Sequence, residues 1–422
     1  MKNKFLLFIL FMISSNYAIS QEKTKADQEK IKAGLDIMMF LGRVPQKTES
    51  NSLSDNLLRI LYYEIQPENY PKIGYLNTKG DVVIAPKYNL GSDFYGNYAN
   101  IIKDSVYGYI DKAGNEVFIK NLEEVFFYYG NTGTAKKNGL YGLINRKGDS
   151  LTDFKYTMAS NFGFNHFRCQ TMNTRSHILD SKGNIIFNSD LDIDIQSHYF
   201  EADSLFIYQE IIDGKKLKGL VNKKNEILLK PKYQEIYFIN DAEFYVVQHD
   251  NKYGFIDKLG DEVIPLIYDE VGTNINEHLI SAQKNGKWGF INRKNEEIIP
   301  FVYDEAYAFM DDLACVKKGD FFGFINKQNK TMVEFNLEKT RFPFFTDKLG
   351  LFTKEGKYGF INKKGKIKIP AMYDKAMPFI NGLAYVELNG KAGYIDKKGK
   401  QVIPVKYKQL WLESEGMIRF AE

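Results

Sequence analysis

From Lys72 onward the chain alternates short apolar runs with polar turns, and the runs return at a fixed interval. Each anchor run is an aromatic or other residue, a glycine, an apolar or aromatic residue, an aliphatic residue and then Asn or Asp. Tyr253-Gly254-Phe255-Ile256-Asp257, Trp288-Gly289-Phe290-Ile291-Asn292, Phe322-Gly323-Phe324-Ile325-Asn326 and Tyr358-Gly359-Phe360-Ile361-Asn362 are the clearest copies. Weaker copies surround Gly74, Gly108, Gly142, Gly219 and Gly393, and Ser176-His177-Ile178-Leu179-Asp180 is a decayed one. Successive copies lie 34 to 36 residues apart, except for a gap of 42 residues before Gly219 that holds an insertion near Asp190 to Ser204. A fixed period in this range marks one supersecondary unit that buries its apolar faces against its neighbours.

Turn chemistry defines the unit. Three residues after the Asn or Asp of each anchor stands Gly80, Gly114, Gly148, Gly183, Gly260, Gly365 or Gly399, or else Asn225, Asn295 or Asn329. A type I turn favours Asn or Asp first, because the side chain caps the turn's N–H groups. The next requirement is a left-handed residue, which Gly meets freely and Asn meets better than other residues. A return strand then runs to Tyr88, Tyr156, Tyr233, Tyr268, Tyr303, Tyr373 or Tyr407, usually with a proline such as Pro300 or Pro370 shortly before. Proline cannot donate to a ladder, so these strands end there or lie at an edge. A third strand follows a Phe and a turn, as in Phe379-Ile380-Asn381-Gly382, and a tight Asn389-Gly390 hairpin leads into the next anchor. The anchor glycine predicts a close approach, with aromatic stacking against the neighbouring repeat.

The expected fold is all-β: about ten three-stranded antiparallel repeats of about 35 residues over 71–422, sharing one continuous core. An open curved solenoid is expected, because ten units exceed the usual four to eight blades of a closed propeller. The alternative of a closed propeller-like ring rests on Gly416 to Phe420, a spare strand at the C-terminus, and on a first repeat that lacks a clear third-type strand. On these anchor runs the chain resembles the WG-repeat family, although Trp288-Gly289 is the single literal Trp-Gly. The resemblance implies a bacterial, often exported repeat protein of generally unassigned function. It offers no catalytic residues to carry over.

Residues 1–20 read as a signal peptide: Lys2 and Lys4, an apolar run from Phe5 to Ile13, and small residues Ala18 and Ser20 before Gln21. The run is too short to span a bilayer, which takes about 20 residues. Residues 21–70 read as a helical leader or N-terminal cap. Ile31, Leu35, Met38 and Met39 share one helical face, as do Leu57, Leu58, Leu61 and Ile65, before Pro67 and Pro71. Aromatics at 15% suit strands, and a formal net charge of +4 argues against a dedicated nucleic-acid binder. Cys169 and Cys315 allow one disulfide or two small core residues.

Signals for catalysis are sparse. Zincin, nucleophile-elbow, phosphate-loop and paired-cysteine motifs are all missing from the sequence. His166, His177, His198, His249 and His278 fall at non-equivalent repeat positions, so no shared metal site is expected. Asp190, Asp192 and Asp194 alternate with Leu191, Ile193 and Ile195. On a strand they would share one face, as a calcium-binding row or as a solvated edge. Lysine pairs Lys223-Lys224, Lys363-Lys364 and Lys397-Lys398 sit at turn tips. They form either a basic row or, with acids such as Glu262, Glu270 and Glu305, a neutralised surface.

No catalytic, cofactor or metal residue is therefore assigned. The expected function is an exported, non-catalytic binding or scaffold module for a protein or polysaccharide partner at the cell envelope. A hydrolase of envelope polymers and a structural spacer are the alternatives. No nucleic-acid partner and no transmembrane segment are expected.

Overall fold

The computed structural model describes residues 71–127, 130–161, 166–173, 176–194, 205–238, 244–272 and 278–421. The chain divides into two units, Met1–Tyr70 and Pro71–Glu422. The expected signal peptide and helical leader lie outside the described residues.

The second unit is ten small antiparallel sheets arranged as a closed propeller. Among the described residues nine sheets have four strands and one has three. Blade 7 shows the plan: a short strand a (Glu270–Val271), strand b (Ile280–Lys284), the anchor strand c (Lys287–Ile291) and the return strand d (Glu297–Tyr303), hydrogen-bonded in that order. The expected three strands are thus four. Strand a is two residues long in most blades, too short to leave a periodic signal in sequence. Blade 1 aside, the other blades are blade 2 (Leu90–Phe118), blade 3 (Glu124–Asn145, whose return side makes isolated bridges in place of strand d), blade 4 (Met158–Ser189), blade 5 (Asp192–Tyr233), blade 6 (Glu235–Tyr268), blade 8 (Glu305–Leu337), blade 9 (Phe345–Tyr373) and blade 10 (Lys375–Tyr407).

Blade 1 is assembled from both ends. Strands Gln409–Ser414 and Met417–Ala421 supply a and b, and Ile73–Asn77 and Val82–Tyr88 supply c and d. Ile73 pairs with Ala421, Tyr75 with Arg419 and Asn77 with Met417 in an unbroken ladder. This overturns the solenoid. An open array would leave the b-side edge of Ile73–Asn77 and its apolar faces unpartnered, and the spare C-terminal strand satisfies them.

The anchor motif follows from burial on both faces. In blade 7, Phe290 packs with Phe309, Ala314 and Val316 of blade 8, whereas Ile291 packs with Val246, Phe255 and Ile264 of blade 6. The aromatic faces the following blade and the aliphatic faces the preceding one. Edge-to-face ring pairs recur at this seam: Phe290–Phe309 at 4.9 Å, Phe324–Phe345 at 4.8 Å and Phe360–Phe379 at 4.7 Å. The closing blade obeys the same rule. Tyr75 meets Phe94 of blade 2 at 5.0 Å, and Leu76 joins Tyr394 and Ile403 of blade 10.

Both glycine classes are accounted for. Gly365 closes its turn by donating to the Asn362 carbonyl at 2.8 Å and is left-handed at φ 75°, and Asn295 holds the same place at φ 64°. Gly359 has no positive φ. A Cβ there would lie 2.6 Å from the Ala371 nitrogen and 2.7 Å from the Ile369 oxygen. The close approach is to the return strand of its own blade and, as expected, to an aromatic ring, Phe352 of strand b, whose Cε1 would lie 2.7 Å from that Cβ. It arises at a bulge, where Tyr358 pairs with Tyr373 but Phe360 pairs with Ile369. Pro370 sits in that bulge on an edge strand, where its missing N–H costs no ladder bond. The strand runs through the proline to Tyr373.

Chemical denaturation will separate the two glycines. Gly359→Ala forces backbone apart and should cost about 2 kcal/mol or more. Gly365→Val should cost more than about 1 kcal/mol through left-handed strain, and Gly365→Asn should cost much less. Equal losses for Gly359→Ala and Gly365→Asn would contradict the assignment.

Candidate functional site: a turn face bearing repeated lysines

Strand alternation gives the ring two faces. One carries the a–b loops and c–d turns, and the other carries the b–c hairpins and the d-to-a links between blades. On the hairpin face, in blades 6, 7 and 9, an aspartate just after the return strand clasps its own blade and the next. Asp304 accepts Lys287 Nζ at 2.6 Å within blade 7, and its other oxygen accepts the Gly319 N–H of blade 8 at 2.8 Å. Asp269 does the same with Lys252 and Gly286, and Asp374 with Lys357 and Asn389. Lys287 and Lys252 hold the Asp304 and Asp269 carboxyls below the usual carboxylate range, the ammonium contact being the largest cause.

The turn face differs. In blades 3, 8, 9 and 10 the first residue after the turn-capping Asn or Asp reaches back to the preceding blade or across its own. Arg146 stacks on Tyr98 at 3.9 Å and donates to the Gly130 carbonyl. Lys363 pairs with Asp311 at 2.9 Å, and Lys397 with Asp347 at 3.6 Å. The second residue points outward. Lys79, Lys147, Lys182, Lys224, Lys294, Lys364 and Lys398 occupy this place in seven of ten turns, and all are exposed. Among the described residues none of these seven ammonium groups has an ion-pair partner. In blades 9, 10 and 1 the turn rests on the return strand of the blade before it. The Gly365 turn of blade 9 lies against Val333 of blade 8, the Gly399 turn of blade 10 against Ile369 of blade 9, and the Gly80 turn of blade 1 against Ile403 of blade 10.

The acids expected to neutralise these lysines divide between the faces. Glu262 stands beside its turn, but Glu270 and Glu305 begin strand a at the hairpin face. There Glu305 pairs with Lys339 at 3.0 Å and with Lys317 at 3.5 Å.

Asp190, Asp192 and Asp194 are not brought together. Asp190 lines a 330 Å³ depression with Asn188, Leu191 and Asn225, and Asp192 accepts Gln209 Nε2 at 2.6 Å. Asp194 is buried against Lys218 Nζ at 2.6 Å, and Glu235 holds the same ammonium at 2.5 Å. Burial opposes the charge on Lys218, and the two carboxylates outweigh it, raising the ammonium above the ordinary lysine range. The signal in sequence was Lys218 itself, a lysine in the anchor's aromatic place beside an acidic insertion. His166 and His177 lie in blade 4, His249 and His278 lie in blades 6 and 7, and His198 is outside the described residues. No group of three metal-binding side chains converges among the described residues. Cys169 and Cys315 are free, buried core residues of blades 4 and 8, and burial pushes the Cys169 thiol up to about 12.

The family model of the WG containing repeat matches nine segments: residues 73–106, 107–141, 141–165, 219–253, 253–288, 288–320, 322–358, 358–391 and 393–421. The chain belongs to the WG-repeat family. No curated protein matches it. Among solved structures it is similar to a eukaryotic initiation factor, at 9% identity over 84% of this chain and 98% of that one, with a TM-score of 0.44. The computationally designed Ika8 protein matches at 10% identity over 62% of this chain and 95% of that one, with a TM-score of 0.34. Hsv2 of Kluyvelomyces marxianus matches at 7% over 71% and 88%, with a TM-score of 0.28. These scores are too low to carry function across. In this WG-repeat chain the literal Trp288 and its Tyr and Phe counterparts share one place, the residue paired across to the end of the return strand.

The buried lysine of this WG-repeat ring makes a sharp test. Lys218→Met strands the Asp194 carboxylate and should lower stability by about 3 kcal/mol or more. Adding Asp194→Leu should restore most of the loss, measured by urea denaturation. A neutral single variant would show that the ion pair contributes nothing.

Proposed function

We propose that this WG-repeat protein is an exported, non-catalytic binding or scaffold module for protein or polysaccharide partners at the cell envelope. The observation that supports this reading is the closed ring of like turns, seven of which project an exposed lysine from the same place. A partner with a repeating structure meets many similar weak contacts at once. Each contact after the first is intramolecular, so avidity exceeds any single affinity. The links between return strand and next blade, one residue long at Asn89, Gln234, Asp269, Asp304, Asp374 and Lys408, hold these turns in fixed relation, which lowers the ordering cost of binding.

Retention of the purified chain on envelope polysaccharide, compared with retention on envelope protein, tests the reading. Retention on one of them is expected. Retention on neither contradicts it. Polymer cleavage that a single Asp or Glu substitution abolishes would overturn its non-catalytic part.

A further inference from the structure

The turn face is not uniformly charged around the ring. The c–d hairpins of blades 8, 9 and 10 span residues 326–337, 362–373 and 396–407. Together they carry ten lysines against two acids, Glu334 and Asp396. The hairpin of blade 6, residues 257–268, carries three acids against one lysine. The difference arises at the residue just after the left-handed position. It is Asp261 in blade 6 and Glu296 in blade 7, but Lys330, Lys366 and Lys400 in blades 8 to 10.

Three acids of the a–b loops beside this sector are already occupied. Asp311 takes Lys363, Asp312 takes Lys327 at 3.8 Å and Asp347 takes Lys397. Lys330, Lys364, Lys366, Lys368, Lys398, Lys400 and Lys406 remain, all exposed and without an ion-pair partner among the described residues, with Lys406 lying over the Tyr407 ring. They are contiguous, because the turn of each blade rests on the return strand of the one before.

We infer that this sector of blades 8 to 10 is the docking site for an anionic polysaccharide. The inference deepens the binding-module reading and rests on it. Three features select the partner. The positive groups are all lysines, compact point charges that attract anions without the fork geometry that reads a particular phosphate or carboxylate. Single-stranded nucleic acid needs exposed rings on which bases stack. On these three hairpins Tyr373 and Tyr407 are buried, and Phe335 is half-buried and stacked on Tyr303. Finally, Lys364, Lys366 and Lys398 project from turns, whereas Lys368 stands off an edge strand, perpendicular to the sheet. A flexible chain can follow that corner, and a flat bilayer cannot touch both sides of it at once.

The test measures binding of the full chain to dextran sulfate, with neutral dextran as the blank. Two variants of equal net charge are compared. One carries Lys364→Glu, Lys366→Glu, Lys398→Glu and Lys400→Glu. The other carries Lys79→Glu, Lys147→Glu, Lys182→Glu and Lys224→Glu. The sector variant should lose at least tenfold in affinity, the control less than twofold, and wild-type binding should weaken steeply with salt. Thermal unfolding checks that both variants fold, and a Lys→Gln set at the same positions replaces a glutamate set that does not. Equal losses in the two sets would overturn the sector. So would absence of dextran sulfate binding, or tighter binding to single-stranded DNA or to phosphatidylglycerol vesicles. Sector-dependent dextran sulfate binding without retention on any envelope fraction would leave the sector standing and remove only the envelope reading.

Discussion

The structure depends on one contact: the large apolar residue after each anchor glycine, buried against the next blade and, in five blades, set edge-on against a phenylalanine there. A sheet of three or four short strands cannot bury both of its faces alone. Phe290 on Phe309, Phe324 on Phe345 and Phe360 on Phe379 cover one face of each sheet, and the neighbouring aliphatic covers the other. Such ring pairs contribute about 0.5–1.5 kcal/mol each beyond their buried area. Because each contact points to the next blade, the requirement ends only when the last blade meets the first. Tyr75 on Phe94 and Leu76 beside Tyr394 carry it across the junction of the two chain ends.

That seam also organises the surface. The bulge that brings Ile369 and Ala371 onto Gly359 sends the return strand straight into the next blade. The carboxylates of Asp269, Asp304 and Asp374 lock this link on the hairpin face. The opposite face is left with its turns stacked in order. Side chains that hold no blade in place, such as those of Lys364 and Lys398, are free to meet a partner.

Much of this was legible in the sequence. The turn glycines and their Asn substitutes, the repeat count and the ends of the return strands follow from local backbone chemistry, which Asn362 and Gly365 or Asn292 and Asn295 display within four residues. The two-residue strand a was not legible, because Glu270–Val271 is shorter than one period of alternation. Closure was visible only as a spare strand at Gly416 to Phe420. The usual blade number weighed against it, since no local pattern encodes how far a ring turns at each repeat. The candidate site was legible as lysine pairs at turn tips. That Glu270 and Glu305 stand on the other face, and that Asp194 is buried on Lys218, depends on strand direction and packing that spacing does not reveal.

Direct imaging of the purified chain by electron microscopy tests the central claim, that Ile73–Asn77 and Met417–Ala421 close one ring. The account predicts a continuous annulus of ten blades in end-on views. An arc with a gap, or an extended superhelix, would contradict it.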